Sequence, residues 1–301
     1  MSEVKSGTMG RCIFLWLLMS GIAFTTFGQN NLKFFNLKGK VASVKVLTYA
    51  GELVNGKVEK DYCIGMNLLE FDEYGRLKAD IDYDEKKNQE GAVKYEYDVD
   101  DHLVNQYQYE GKNLIKTTKF LYDAKGNLVE EKYYGSGGTN TGNTTYAYDS
   151  RGLVTEKVIN DSPFFSRNVK TYDDHKLLTE ERVYETKSGK QIWLIKHEYD
   201  STGFETMISR KNLGNGVLLL THFTFDASKN IRCEVNGTNK ICRDYDENGN
   251  LVLYSGDGAI DSYDYTFDET GNWILSVKTR KNGKSVEYEI AERKIAVLKA
   301  R

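Results

Sequence analysis

Nine near-copies of one seven-residue phrase restrict what this chain can fold into. The phrase is clearest in Tyr245-Asp246-Glu247-Asn248-Gly249-Asn250-Leu251, and its other copies begin at Phe71, Tyr97, Tyr122, Tyr148, Tyr172, Tyr199, Phe225 and Phe267. Along the chain the spacings are 26, 25, 26, 24, 27, 26, 20 and 22 residues. A period this regular implies one array of stacked units, and it overrides the two domains that 301 residues would otherwise suggest. The chain has a single proline, Pro163, where an average chain of this length has about fifteen. Proline cannot donate a ladder hydrogen bond, so its scarcity suits a molecule made of ladders. The 21 Tyr and 13 Phe favour strands over helices.

The phrase has a physical content. Aspartate opening a type I turn accepts hydrogen bonds from backbone N–H groups two or three residues on. Glycine then takes the left-handed conformation that closes a three-residue hairpin with a bulge. The turn residues so assigned are Asp72/Gly75, Asp123/Gly126, Asp149/Gly152, Asp200/Gly203, Asp246/Gly249 and Asp268/Gly271. Asp101, Lys176 and Lys229 replace the glycine in three copies. In this register Tyr245 faces Leu251, a cross-strand pair worth roughly 0.2–1 kcal/mol beyond burial.

Before each turn apolar and polar residues alternate, as in Tyr95/Tyr97, Phe120/Tyr122 and Tyr263/Tyr265/Phe267. That period marks half-buried antiparallel strands. The expected fold is all-β: about eighteen strands in hairpins, forming one long sheet that coils, rolls or folds onto itself to cover its aromatic face. Residues 71–275 hold the repeats, and residues 29–70 and 276–301 read as terminal capping strands.

The first 28 residues read as a secretory signal peptide. Arg11 precedes the apolar run Ile13–Met19, and Thr26 and Gly28 stand at −3 and −1 of a cut before Gln29. Met9 is an alternative start, and the run is too short to span a bilayer. Periplasm, outer surface or medium is therefore the expected location, with no membrane span after cleavage. The formal net charge is −3 with both signs interspersed. Nucleic-acid binding leaves a basic stripe, and none is visible.

The chemistry-bearing residues have plainer readings. Asp244 to Leu251 matches the opening of a calcium-binding EF-hand loop, but Ser255 stands where that loop needs glutamate. The four histidines, His102, His175, His197 and His222, show no metal or protease spacing. We expect no catalytic residue, metal or cofactor. A Gly237-Thr238 turn sets Cys233 opposite Cys242, which permits a disulfide in an oxidising compartment; two buried thiols are the alternative. Cys63 is left over as a core thiol. Trp193 and Trp273 fall on the core parity. Tyr133 and Tyr254 fall on the other parity, and Phe164 and Phe165 lie in a loop, so these four are the candidate ligand contacts.

These units resemble YD repeats, the tyrosine-aspartate hairpins of the RHS family of bacterial cell-surface and toxin-shell proteins. The resemblance covers residues 71–275, and the chain is similar to the small secreted YD-repeat proteins of Gram-negative bacteria. In large relatives such repeats wind into a hollow β-shell around a passenger. The resemblance implies an exported, non-enzymatic scaffold that binds a glycan or protein partner at the cell envelope. The alternative it implies is a structural shell or accessory component of an RHS-type toxin system.

Overall fold

The computed structural model describes residues 31–298, so the expected signal segment lies outside the described residues. They begin with one helical turn, α1 (Asn31–Phe34), followed by β1 (Val41–Val54), β2 (Lys57–Phe71), β3 (Leu77–Tyr83), β4 (Gln89–Tyr97) and β5 (Leu103–Glu110). Next come β6 (Asn113–Tyr122), β7 (Leu128–Gly135), β8 (Asn140–Tyr148), β9 (Val154–Asp161), β10 (Phe164–Tyr172), β11 (Leu178–Glu185) and β12 (Gln191–Tyr199). The last are β13 (Glu205–Asn212), β14 (Leu218–Phe225), β15 (Ile231–Asn236), β16 (Asn239–Tyr245), β17 (Leu251–Gly256), β18 (Ala259–Phe267), β19 (Trp273–Asn282) and β20 (Ser285–Val297).

Every strand pairs antiparallel with its chain neighbours, and β1 also pairs with β20, from Val41↔Val297 to Gly51↔Tyr288. The sheet is thus a closed barrel of twenty strands. Of the coiled, rolled or folded sheets expected, the all-β sheet is rolled and closed on itself, not an open coil. The flanking strands meet each other, because an exposed edge carries a row of unpaired N–H and C=O groups and closure satisfies both rows at once.

All nine repeats carry a β-bulge at the same place, beside the residue that opens the phrase. In one copy Tyr245 faces Leu251, yet Asp244 faces Leu253. The extra residue shifts the side-chain alternation of the strand after the turn by one place. One face of the wall therefore holds Tyr95, Tyr97, Thr118, Phe120 and Tyr122, and continues through Tyr133, Thr144 and Tyr146. This face is the more buried. Thr144 and Thr221 on it are 2% exposed, while Leu218 and Leu220 on the other are 55% and 37% exposed. In a single-layer sheet closed on itself, side chains converge on the concave side, so the tyrosine face lines the interior.

The interior is a lumen. Among the described residues, close backbone contacts between strands run between ladder neighbours. Twenty strands at about 4.8 Å spacing give a ring roughly 30 Å across its backbone even when upright. The main apolar cluster sits at one end, beside the closure: Leu32, Leu37, Val41, Val44, Leu69, Phe71, Leu77, Tyr95 and Leu103. Residues 32–38 form a strap across this end. Phe35 packs edge-on against Phe71 at 5.8 Å, and Asn36 donates to Asn248 O and Asn250 Oδ1 on the far side of the seam. Asn272 grips the strap backbone twice, accepting from Lys38 N at 2.6 Å and donating to Lys38 O at 3.2 Å.

Candidate binding surface

Each turn staples itself. Asp246 Oδ1 accepts from the N–H of Asn248 at 2.9 Å and of Asn250 at 2.8 Å, and Oδ2 accepts from the Asn250 amide. The donors lie two and four residues on, because the bulge turns the fourth N–H back toward the carboxylate. Asp72, Asp98, Asp123, Asp149, Asp200 and Asp268 repeat both bonds. These hydrogen bonds hold the Asp123, Asp200 and Asp226 carboxyls below their ordinary range. Of the EF-hand-like acids, Asp246 is held by its own turn and Asp244 pairs with Arg232 Nε at 3.2 Å. Gly75, Gly126, Gly152, Gly203, Gly249 and Gly271 have φ between 79° and 86°. Asp101, Lys176 and Lys229 occupy the same left-handed region.

A tenth copy escaped the sequence reading. Tyr83-Asp84 opens a turn in which Asp84 Oδ1 accepts from Lys86 N and Asn88 N, with Lys87 at φ 66° in the glycine place. It lies on the opposite rim, half a period out of step. The dipeptide followed by Asn88 was the available signal.

Successive hairpins are latched by the tyrosine hydroxyls. Tyr97 donates to Leu77 O, Tyr122 to Leu103 O, Tyr148 to Leu128 O, Tyr172 to Val154 O and Tyr199 to Leu178 O, at 2.7 to 3.0 Å. Each acceptor is at or beside the start of the strand that follows the previous turn. Burial pushes the Tyr122 and Tyr199 phenols up to about 12, so they stay donors.

The four candidate contacts are not brought together, since they stand on β7, β10 and β17. Tyr133 and Tyr254 face the lumen, because the bulge reverses the parity on which they read as outward. Tyr133 is half-buried, bonded to Glu131 Oε2 and Thr144 Oγ1, with Lys116 Nζ 4.4 Å from its ring. Phe164 and Phe165 open β10 rather than lying in a loop; Phe164 is 70% exposed. Lys187 covers Phe165 at 4.7 Å. Cys233 and Cys242 are joined in a disulfide across directly paired positions, and Cys63 is a free, half-buried thiol.

The sequence reading missed a lumenal strip on β18 and β19. Tyr263 and Tyr265 lie near-parallel at 6.4 Å, Tyr265 meets Phe267 at 6.1 Å, and Trp273 meets Tyr265 at 5.8 Å. Alternation on β18 was visible in the sequence. That the lumen leaves these rings uncovered by another layer was not.

No family model and no curated protein matches the chain. Among solved structures it is similar to TcdB2-TccC3 without the hypervariable C-terminal region, at 14% identity and a TM-score of 0.44, covering 83% of this chain and 16% of that one. It is also similar to a porin-like protein from Bacteroides uniformis, at 12% identity and a TM-score of 0.35, covering 85% and 98%. The Tc holotoxin pore of Photorhabdus luminescens is similar at 9% identity and a TM-score of 0.30, covering 79% and 18%. The chain thus spans about one-sixth of the TcdB2-TccC3 chain.

Among the described residues no helix is long and apolar enough to cross a membrane. A membrane-spanning barrel presents an outward apolar band about 25 Å tall. Here one face carries Lys119, Lys132, Arg182 and Lys196 in mid-strand, and the other Lys116, Glu131, Glu181 and Arg210. Neither face offers that band.

Proposed function

We propose that this is an exported, non-catalytic YD-repeat scaffold that binds a glycan or protein partner at the bacterial cell envelope. One observation carries the reading: a closed antiparallel wall, latched turn by turn, surrounds a lumen lined with tyrosines and interspersed charges. Large aromatic surfaces with a few placed polar groups are the ordinary make-up of a binding site. The repeat aspartates are committed to their own turns, which makes them part of the scaffold. A second reading, a shell or accessory component of an RHS-type toxin system, draws on the same enclosure.

Fractionating the producing cell and screening the exported protein on a glycan array tests the first reading. A cytosolic product would sink export. Silence on the array, together with protection of cells from a co-expressed toxin domain, would replace the first reading with the second.

A further inference from the structure

Two ends of the lumenal strip on β18 and β19 hold buried polar atoms with no hydrogen-bond partner. At one end Asp261 is 4% exposed and its Oδ1 is unsatisfied. Its carboxylate is ion-paired with two cations, Lys278 Nζ 3.5 Å from Oδ2 and Arg280 Nε 3.6 Å from Oδ1, and Oδ1 takes no hydrogen bond from either. At the other end the Arg293 guanidinium stacks on Trp273 at 3.5 Å, with Nε and Nη1 both unpartnered. Burial pushes this guanidinium down to about 10. A buried group left without a hydrogen-bond partner is costly, most of all when charged, so Arg293 calls for a ligand's anion and Asp261 Oδ1 for a ligand's donor.

Between them lie Tyr263, Tyr265 and Phe267, all on the same face as Asp261 because strand residues two apart share a side. From Asp261 to Phe267 the strand runs about 20 Å. Lys278 and Arg280 flank the strip on β19 and make their ion pairs with Asp261, whereas Arg293 Nε and Nη1 have no partner. The strap closes the strip at the Arg293 end, where Asn272 holds Lys38. The Asp261 end leads to the rim at the Asp257-Gly258 turn, so an elongated ligand enters there.

We infer that the β18–β19 strip binds a carbohydrate chain bearing carboxylates, with sugar faces on Tyr263, Tyr265 and Phe267, a carboxylate on Arg293 and a hydroxyl on Asp261. This rests on the glycan branch of the proposed function and names its site and ligand class. An acidic sugar fits both orphans. Its carboxylate accepts from guanidinium N–H groups in a charge-assisted bond, and its hydroxyls donate to Asp261 Oδ1, which no hydrogen bond occupies. An apolar peptide would leave both ends unsatisfied.

The test uses the full exported protein and calorimetric titration with oligogalacturonates, beside their methyl-esterified, uncharged counterparts. The variants are Arg293→Gln, Arg293→Lys, Asp261→Asn and Tyr263→Leu, with Tyr184→Leu on the outer face as control. Circular dichroism and the thermal midpoint establish that each variant is folded. The acidic chains bind wild type, and Arg293→Gln weakens them about tenfold or more, as loss of a charge-assisted bond does. Arg293→Lys restores part of the binding, the outer-face control changes nothing, and the esterified chains bind weakly throughout. Acidic chains that bind Arg293→Gln and Tyr263→Leu as tightly as wild type overturn the strip while leaving glycan binding in place. Equal binding of esterified and acidic chains overturns the carboxylate contact. No oligosaccharide binding at all overturns the strip and the glycan branch, and leaves the protein-partner branch standing.

Discussion

At the scale of single residues the wall contains carboxyls shifted in opposite senses. Turn aspartates such as Asp123 and Asp226 are held below their ordinary range by N–H donors, so their stabilisation is lost as pH falls through the acid range. Asp80 is the contrary case. It is 8% exposed on the lumenal face, and burial pushes it up to about 6, with nearby Asp82 adding to the rise and the Asn67 amide opposing it. An unfolded aspartate titrates near 3.9. The folded chain thus holds this proton more tightly than the unfolded chain. The contribution is fully present below about pH 4 and is lost as pH rises through about 6. A rise of this size corresponds to roughly 2–3 kcal/mol. Asp80→Asn mimics the protonated form, so its urea midpoint exceeds that of wild type at pH 8, and the gap closes toward pH 4. A gap that stays constant across this range would show that the charge on Asp80 is not the cause.

At the scale of the element, the unit of cohesion is the hairpin with its tyrosine latch. Tyr148→Phe keeps the ring and removes the hydroxyl that bonds Leu128 O at 2.7 Å. The expected cost is about 1 kcal/mol in chemical denaturation, the net worth of one such bond; an unchanged midpoint would reduce the latch to a packing contact. The shortest hairpin carries a different tie. Cys233 and Cys242 are nine residues apart in sequence, and closing so short a loop stabilises by roughly 2–3 kcal/mol on the chain-entropy model. Non-reducing peptide maps of exported protein are expected to show this bridge with Cys63 alkylatable, and free thiols at both positions would rule it out. The phrase itself made these hairpins legible: aspartate to accept, a left-handed fourth position, and leucine to pair with tyrosine. The bulge that follows was implied by the same turn, but its effect on parity was not carried along the strand. Tyr133 and Tyr254 were thereby assigned outward when they face the lumen. The Tyr83 turn escaped because it sits half a period off the repeat.

At the scale of the whole molecule, closure could not be read from the sequence. Whether a meander spirals or closes depends on strand number, tilt and stagger together, and each hairpin fixes only its own register. Closure is visible only where β1 meets β20, in strands whose sequences lack the phrase. The strap adds a second tie there, joining Phe71 on one side of the seam to Asn250 and Asn272 on the other. A closed ring makes a concrete demand on residues far apart in the chain. Ser43 on β1 pairs directly with Ala296 on β20. Opposed residues on antiparallel strands lie about 4.5–5.5 Å apart, within disulfide reach. The double variant Ser43→Cys, Ala296→Cys should therefore form an intramolecular bridge on mild oxidation, seen as a cross-linked peptide and a faster-migrating band without reductant. The pairing of Ser43→Cys with Glu287→Cys, well along β20, should not cross-link. A spiral strip would hold Ser43 and Ala296 a full sheet apart, so a double variant that stays reduced, or bridges only between molecules, would open the ring.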